Sequence, residues 1–162
     1  MSRIERVALT LGVLGLLAAG GCTTKIGATY DPFVLFPATA QWTWDEAMNS
    51  MPSDPSMAKL NIEAIVRETI VASLAERGYT LAPDGGTADF RAYYQLGLGQ
   101  IVNLDSVESF ASLSLTFVDT ETNRSAWVGF IKTRADIAIP DAERRELLRE
   151  RLDKMLKDFP PS

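Results

Sequence analysis

Histidine is absent from this chain of 162 residues, and cysteine occurs once, at Cys22. The absence of histidine excludes Ser-His-Asp and Cys-His catalysis and any zinc site with histidine ligands. A single cysteine forms neither an intramolecular disulfide nor a Cys-rich metal centre. The net charge is −5 and the Lys and Arg residues are scattered, which disfavours a nucleic-acid surface. We therefore expect no catalytic residues, no metal, no cofactor and no nucleic-acid partner.

The chain also lacks an apolar run long enough to span a membrane. Arg3 and Arg6 precede an uncharged run from Val7 to Ala19, which is shorter than the ~20 residues of a spanning helix. A charged start, a short apolar middle and small residues are typical of a secretory signal peptide. A buried core helix is the alternative, and it is disfavoured because the run has no polar face.

The end of this run, Ala19-Gly20-Gly21-Cys22, resembles the lipobox of bacterial lipoprotein precursors. In that class the cysteine thiol receives a diacylglyceryl group and the signal is cut just before it. The resemblance therefore implies cleavage after Gly21 and a covalent lipid on Cys22. The alternative is an ordinary signal peptide that leaves a free Cys22, an unpaired thiol of the kind that secreted proteins avoid.

Thr23 follows the cysteine. In the enterobacterial sorting rule an aspartate at this place favours retention in the inner membrane. The resemblance thus implies an outer-membrane protein that faces the periplasm and contacts the membrane through its lipid, since each buried methylene contributes about 0.8 kcal/mol. We expect a signal peptide over residues 1–21, a lipidated tether over residues 22–29 and a single domain over residues 30–162.

The first strand is predicted from an alternating pattern that ends in two tryptophans. Ala38, Ala40, Trp42 and Trp44 share one face, as expected for a strand with one buried side. Proline precedes this stretch at positions 32 and 37, which suits an edge strand or its approach. The clearest helix follows, with Asp54 and Pro55 at its start and Gly78 at its end.

Further alternation predicts strands over residues 79–83, 88–102, 111–118 and 126–134, with a polar loop over residues 103–110. A charged amphipathic helix follows Pro140, and we interpret its charged side as a solvated face. Trp127 and Gly129, two residues apart, indicate a close contact of helix and sheet. The order β-α-β-β-β-β-α predicts an α+β fold, in which a mostly antiparallel sheet carries both helices on one face.

Several stretches occur in an order that resembles a known family. They are the lipobox at Cys22, "WTW" at residues 42–44, "LAERGY" at residues 74–79, "ADF", "LTFVDTETNRSAWVG" and "MLKDFPP". The chain resembles the bacterial lipoproteins grouped as domain of unknown function 4136 (DUF4136). The resemblance implies an α+β lipoprotein of the periplasm or outer membrane, and it implies no activity, because none is established for the group.

Four apolar residues form a candidate contact surface, namely Val34, Phe36, Trp42 and Trp44. Exposed aromatic rings suit a ligand groove, but Trp42 and Trp44 share a face with alanines, which favours core packing. The apolar segment around Val34 and Phe36 is expected to dock as a sheet-edge strand, to which a partner strand can add.

The acidic residues do not change this interpretation. Asp105, Glu108, Asp119 and Glu121 lack the spacing and central glycine of a calcium-binding loop.

We expect a non-enzymatic envelope scaffold that acts by binding a protein partner. The alternative is a small-ligand or lipid-binding module with a groove between sheet and helices. An apolar cavity favours the ligand-binding module, whereas a filled core with an exposed apolar strip favours the scaffold.

Overall fold

The computed structural model describes residues 24–83, 86–102, 104–135 and 138–161, except for the side chain of Ser56. Cys22, Thr23 and the cleavage site after Gly21 lie outside the described residues.

A single sheet and a helical layer make up the described part of the chain. Their bounds are β1 (Lys25–Tyr30), β2 (Ala40–Trp44), α1 (Pro55–Leu60), α2 (Ile62–Ala75), β3 (Tyr79–Leu81), β4 (Phe90–Val102), β5 (Val107–Asp119), β6 (Ser125–Arg134) and α3 (Asp141–Leu156). The strand order is β1-β6-β5-β4-β2-β3. The α+β class is confirmed, with six strands and three helices among the described residues instead of five and two.

The sheet is mixed. Strands β1, β6, β5 and β4 pair antiparallel, whereas β2 pairs parallel with both β3 and β4. Strand β2 is therefore not an edge strand, and the two prolines belong to the approach to the strand, the other alternative that their positions allowed. Its inward residues Ala40 and Trp42 are buried, and the two prolines precede the strand, so they remove none of its ladder hydrogen bonds.

The edge strands are β1 and β3. The segment around Val34 and Phe36 forms no strand, so the prediction that it docks as a sheet-edge strand is wrong. Strand β1 includes residues that we assigned to the tether. Residues 25–29 pair with β6, and the Thr24 and Thr133 hydroxyl oxygens lie 3.1 Å apart. Ile26 packs against the core. Burial of this side chain and the ladder hydrogen bonds to β6 hold the segment on the domain.

The predicted first helix is two helices, because the chain turns at Asn61. The φ angle of Asn61 is 53°, a left-handed conformation that asparagine tolerates better than most residues. Gly78 ends the helical region, as predicted. Its φ is 84°, and a Cβ there would lie 2.7 Å from the carbonyl oxygen of Ala38, so only glycine fits.

The core lies between the inner face of the sheet and the helices α2 and α3. Strand residues such as Phe90, Leu115 and Trp127 form one buried cluster with Val66 and Leu152. This arrangement confirms that both predicted helices cover one face.

Phe159, just after α3, inserts its ring into the centre of this core. The ring centroid lies 4.9 to 5.6 Å from the centroids of Phe36, Tyr79, Phe117 and Trp127. Aromatic pairs at such distances add to the stabilisation that burial alone gives.

Candidate ligand-binding groove

An apolar groove of about 210 Å³ lies between the sheet and the helices. Strands β4, β5 and β6 form its floor, and α1, the start of α2 and the part of α3 up to Arg151 form its walls. Its apolar lining consists of Met57, Leu60, Ile62, Leu96, Leu98, Ala111, Leu113, Ile131, Ala135, Ile139, Leu147 and Leu148. The groove is smaller than the ~300–1,000 Å³ typical of pockets for drug-sized ligands, so it suits a slender apolar chain.

The groove forms because the large aromatic side chains stop partway along the inner face. On β4, Phe90 and Tyr94 fill the space under the helices, whereas the next inward residues are Leu96 and Leu98. Opposite Leu98 on β5 lies the small Ala111. Since α1 ends at Leu60, the helical layer leaves this end of the inner face open.

The apolar side of helix α3 packs into the core at its C-terminal end and lines the groove before that. Leu152, Met155 and Leu156 are buried in the core. The preceding positions of the same stripe, Arg144, Leu147, Leu148 and Arg151, line the groove, as the helical spacing of three and four residues requires.

The wall between α1 and α3 is fastened by an ion pair. Lys59 Nζ of α1 lies 2.9 Å from Asp141 Oδ2 at the start of α3. The hydrogen bond from Lys59 lowers the pKa of the Asp141 carboxyl group. Arg144 also contacts Asp141, at 3.1 Å.

Three arginines line the groove: Arg134, Arg144 and Arg151. Arg134 lies 3.5 Å from a carboxylate oxygen of Glu108, and the Nε of Arg144 donates a hydrogen bond to the Ile139 carbonyl at 2.7 Å. Arg151 forms no ion pair with any residue that the structure describes. A guanidinium group binds carboxylate or phosphate oxygens through two parallel hydrogen bonds. The groove therefore combines an apolar floor with cationic groups.

We interpreted the charged side of α3 as a solvated face and therefore did not predict that Arg144 and Arg151 line a groove. The available signal was the position of Arg144 and Arg151 on the same helical stripe as the buried Leu152 and Met155. A cation on an otherwise apolar stripe indicates a place where apolar and charged surfaces meet.

The two tryptophans of the candidate contact surface lie away from the groove. Trp42 is fully buried, and its indole Nε1 donates to the Tyr79 carbonyl at 3.3 Å. The preference for core packing is therefore confirmed for Trp42. Trp44 is half-buried beneath the Arg67 guanidinium, whose carbon lies 5.1 Å from the ring centroid.

Arg67 belongs to a polar cluster that is satisfied internally. Its Nη1 and Nη2 contact the two carboxylate oxygens of Glu46 at 2.9 and 2.5 Å, and its Nε lies 3.2 Å from Glu63. The Tyr94 hydroxyl donates to the same Glu63 oxygen at 2.8 Å. The hydrogen bond from Arg67 lowers the pKa of Glu46, and burial raises the pKa of Tyr94. Because these groups satisfy one another, the cluster fixes α2 against the sheet.

Val34 and Phe36, the other candidate contact residues, face the core. The Phe36 ring stacks on Phe90 with a centroid distance of 5.4 Å, and Val34 packs against the same cluster. The neighbours Phe33 and Leu35 are 81% and 88% exposed. The exposed apolar side chains of this segment are therefore Phe33 and Leu35 and not the predicted Val34 and Phe36.

The described residues contain no group of three or more acidic or cysteine side chains placed to hold a metal ion. In this same part of the chain, no helix has both the length and the apolar character required to cross a bilayer. Asp119 accepts hydrogen bonds at 2.6 Å from the backbone and hydroxyl of Thr122, so it stabilises the β5–β6 turn.

No family model and no curated protein match this sequence. Solved structures show the fold. A DUF4136 family protein from Bacteroides thetaiotaomicron has a TM-score of 0.56 at 9% identity, over 85% of this chain and 96% of that one. The DUF4136-like fold that the sequence motifs implied is thus confirmed.

Two other solved structures share this fold. The PelC dodecamer from Paraburkholderia phytofirmans gives a TM-score of 0.50 at 11% identity, over 82% of this chain and 95% of that one. A PDZ domain protein from Parabacteroides distasonis gives 0.53 at 12% identity over 90% of this chain, which spans 38% of the length of that protein. At such identities the likeness concerns the fold.

Proposed function

We propose that this chain is a lipid-anchored, periplasm-facing lipoprotein of the outer membrane that acts by binding and not by catalysis. Its binding site is the groove, and its ligand is an amphiphile with an apolar tail and an acidic head group. The observation that carries the proposal is the apolar groove between sheet and helices with three arginines in its lining.

The anchor is supported by the first residues of the sequence and by the place where the fold begins. Residues 1–21 have the layout of a signal peptide, and Cys22 completes a lipobox. Strand β1 begins at Lys25, so a lipid on Cys22 lies only a few residues from the folded domain.

The ligand chemistry follows from the groove lining. The aliphatic floor favours an alkyl chain, since burial contributes about 0.8 kcal/mol per methylene. The guanidinium of Arg151 is available for an acidic oxygen at one wall. Among the described lining residues, the hydroxyls of Ser112 and Thr133 have no carboxylate or imidazole beside them to act as a base. This composition supports binding.

The test is a titration of the purified mature protein with a fluorescent long-chain fatty acid. Ala111→Trp fills the groove, whereas Gln95→Trp places the same side chain on an exposed position of β4. We expect wild-type affinity for Gln95→Trp and a loss of at least tenfold for Ala111→Trp, with unchanged circular dichroism for both. Equal binding by the two folded variants would refute the groove as the site.

A second candidate function is a scaffold for an envelope protein partner. It is favoured by the exposed side chains of Phe33 and Leu35, which follow the edge strand β1. Exposed apolar side chains that lie close together in the chain are typical of a protein contact. Photoreactive groups at positions 33 and 35 should yield one crosslinked partner in the cell envelope, and position 34, which faces the core, serves as the control.

A further inference from the structure

The β4–β5 hairpin projects beyond the rest of the sheet. Strand β6 accompanies β5 only as far as the pair Phe110–Arg134, while β4 and β5 continue to pair with each other up to Val102 and Val107. The described part of this end carries four apolar side chains, which we term the hairpin tip: Ile101, Val102, Leu104 and Val107. Val102 is 73% exposed and Leu104 is completely exposed, at 105%.

The chain enters the fold at this same end of the sheet. Thr24 contacts Thr133 on β6, Thr133 pairs with Ala111 on β5, and Ala111 pairs with Leu98 on β4. Thr24 therefore lies level with Leu98, at the end of β1 that faces the projecting hairpin.

The length of β4 beyond Leu98 gives the distance from the level of Thr24 to the hairpin tip. Val102 lies four positions after Leu98 along β4. At ~3.3 Å per residue, the end of β4 is therefore about 13 Å beyond the level of Thr24. Cys22 precedes Thr24 by two residues, so it lies within about 7 Å of Thr24. When β4 runs along the bilayer normal, a lipid anchor that holds Cys22 at the bilayer surface therefore allows the hairpin tip to reach about 6 Å or more beneath that surface.

We infer that the hairpin tip inserts into the interfacial region of the bilayer that carries the lipid anchor, and so fixes the orientation of the domain. The inference rests on the anchor of the proposed function. Apolar side chains of surface-bound elements enter the headgroup and acyl boundary by about 5–10 Å, which agrees with the projection of the tip. In this orientation the groove, whose lining includes Leu98 and Arg134, lies close to the bilayer.

The contact is apolar rather than electrostatic. Asp105 and Glu108 are the charged side chains between Val102 and Ser109, and Glu108 is close to Arg134. An acidic hairpin gains nothing from anionic lipid. Phosphatidylethanolamine is therefore a suitable main lipid for the test, and we expect insertion to be insensitive to salt.

The experiment uses the lipidated protein in vesicles of phosphatidylethanolamine with a minority of phosphatidylglycerol. Because Cys22 carries the lipid and is the single cysteine, a cysteine introduced at Leu104 or Val102 takes a fluorophore selectively. Glu121→Cys is the control, since Glu121 is exposed in the β5–β6 turn at the opposite end of β5. We expect iodide to quench labels at 104 and 102 several-fold less than at 121, and lipid-attached nitroxides to quench them several-fold more.

The outcomes separate the two proposals. Intact mass decides first whether Cys22 is acylated; a mature protein without acyl mass overturns the anchor and the membrane contact together. If the protein is acylated and labels at 104 and 102 are as accessible to iodide as the label at 121, the membrane contact is overturned and the anchor stands. Protection of either tip label in the acylated protein supports insertion.

Discussion

The indole ring of Trp127 lies directly over Gly129, two residues further along β6. A Cβ at Gly129 would lie 2.7 Å from Cζ3 of the indole and 2.8 Å from Cγ of Met155 on α3. Both neighbours are buried, so neither has room to withdraw. The missing side chain of Gly129 thus allows helix α3 and the tryptophan to pack on the sheet together, as the spacing of the two residues predicted.

Gly129→Ala should therefore destabilise the protein by about 1–3 kcal/mol, the usual cost of overpacking a core. Urea denaturation followed by tryptophan fluorescence measures the change. The expected result is a lower midpoint with an unchanged dependence on urea concentration.

Gly27→Ala is the matched control on the neighbouring strand. A Cβ there would lie 2.7 Å from the ring of Phe130, which is 41% exposed and can rotate into solvent. We expect a change of less than about 1 kcal/mol. An equal loss in both variants would contradict the role of the buried neighbours of Gly129.

Local patterns predicted the fold class, most of the strands from Tyr79 onward and the helix stop at Gly78, because each depends on residues close in sequence. The predicted polar loop over residues 103–110 is wrong in its second half, because β5 begins at Val107 and pairs with the end of β4. The position of β1 was not predictable in this way. The six residues from Lys25 show weak alternation, and their place at the sheet edge depends on pairing with β6, about a hundred residues later. The position of β2 between β4 and β3 likewise depends on its distant partners Phe90 and Tyr79.

The groove was predicted as a place between sheet and helices, but its residues were not. The lining joins Leu60, Leu98, Ile131 and Arg151 from four different elements, and their convergence follows from the order of the strands. The exposed residues of the apolar segment 33–36 were not predictable either, because they depend on the packing of Phe36 against the distant Phe90.

Tyr79 should make the protein sensitive to alkali. Burial, with a smaller contribution from Asp89, raises its pKa to about 12, and its hydroxyl donates to the Pro37 carbonyl at 2.6 Å. Because the folded pKa exceeds the unfolded value of about 10, this stabilisation is complete below pH ~10 and falls as the pH rises towards 12.

Tyr79→Phe should reduce the alkaline loss of stability, measured by urea denaturation at a series of alkaline pH values. At neutral pH the variant should be less stable by about 1 kcal/mol, because the Pro37 carbonyl loses its donor. An unchanged loss of stability in alkali would show that other groups cause it.

Glu46 should contribute to acid sensitivity. The hydrogen bond from Arg67 lowers its pKa in the folded state. Its stabilising contribution is therefore present above the unfolded pKa of about 4.3 and is lost as the pH falls through the lower folded value. Glu46→Gln should lower the free energy of unfolding at pH ~7 by less than about 1 kcal/mol, since the pair is partly exposed.

Arg67→Gln provides the background that isolates this pair. In that background Glu46→Gln should have no effect on stability at neutral pH, and the two proteins should unfold alike at low pH. A full effect of Glu46→Gln in the absence of the Arg67 guanidinium would assign it to Asn49, the other hydrogen-bond partner of Glu46.

Cys22→Ser should abolish lipidation and leave a soluble or uncleaved product. The wild-type protein extracted from membranes should lack residues 1–21 and carry the mass of a diacylglyceryl group. A mature wild-type chain that begins at Cys22 without added acyl mass contradicts the anchor. In an enterobacterial host, Thr23→Asp should retain the lipidated protein in the inner membrane, which fractionation of the two membranes detects.

Arg151→Gln should weaken binding of an acidic amphiphile, because this guanidinium lines the groove and forms no ion pair with a described residue. Loss of a charge-assisted hydrogen bond lowers the affinity roughly tenfold. Titration with a long-chain fatty acid and with the corresponding alcohol separates the charge from the tail. The acid should lose affinity and the alcohol should not, and added salt should weaken binding of the acid to wild type more than to the variant.

Arg145→Gln removes the same charge from the same helix at a position outside the groove lining. We expect it to bind the acid and the alcohol as wild type does. If Arg145→Gln and Arg151→Gln weaken binding of the acid equally, the effect comes from the net charge of the protein and not from a contact in the groove. If Arg151→Gln weakens both ligands equally, its aliphatic stem packs against the tail and the head group lies elsewhere.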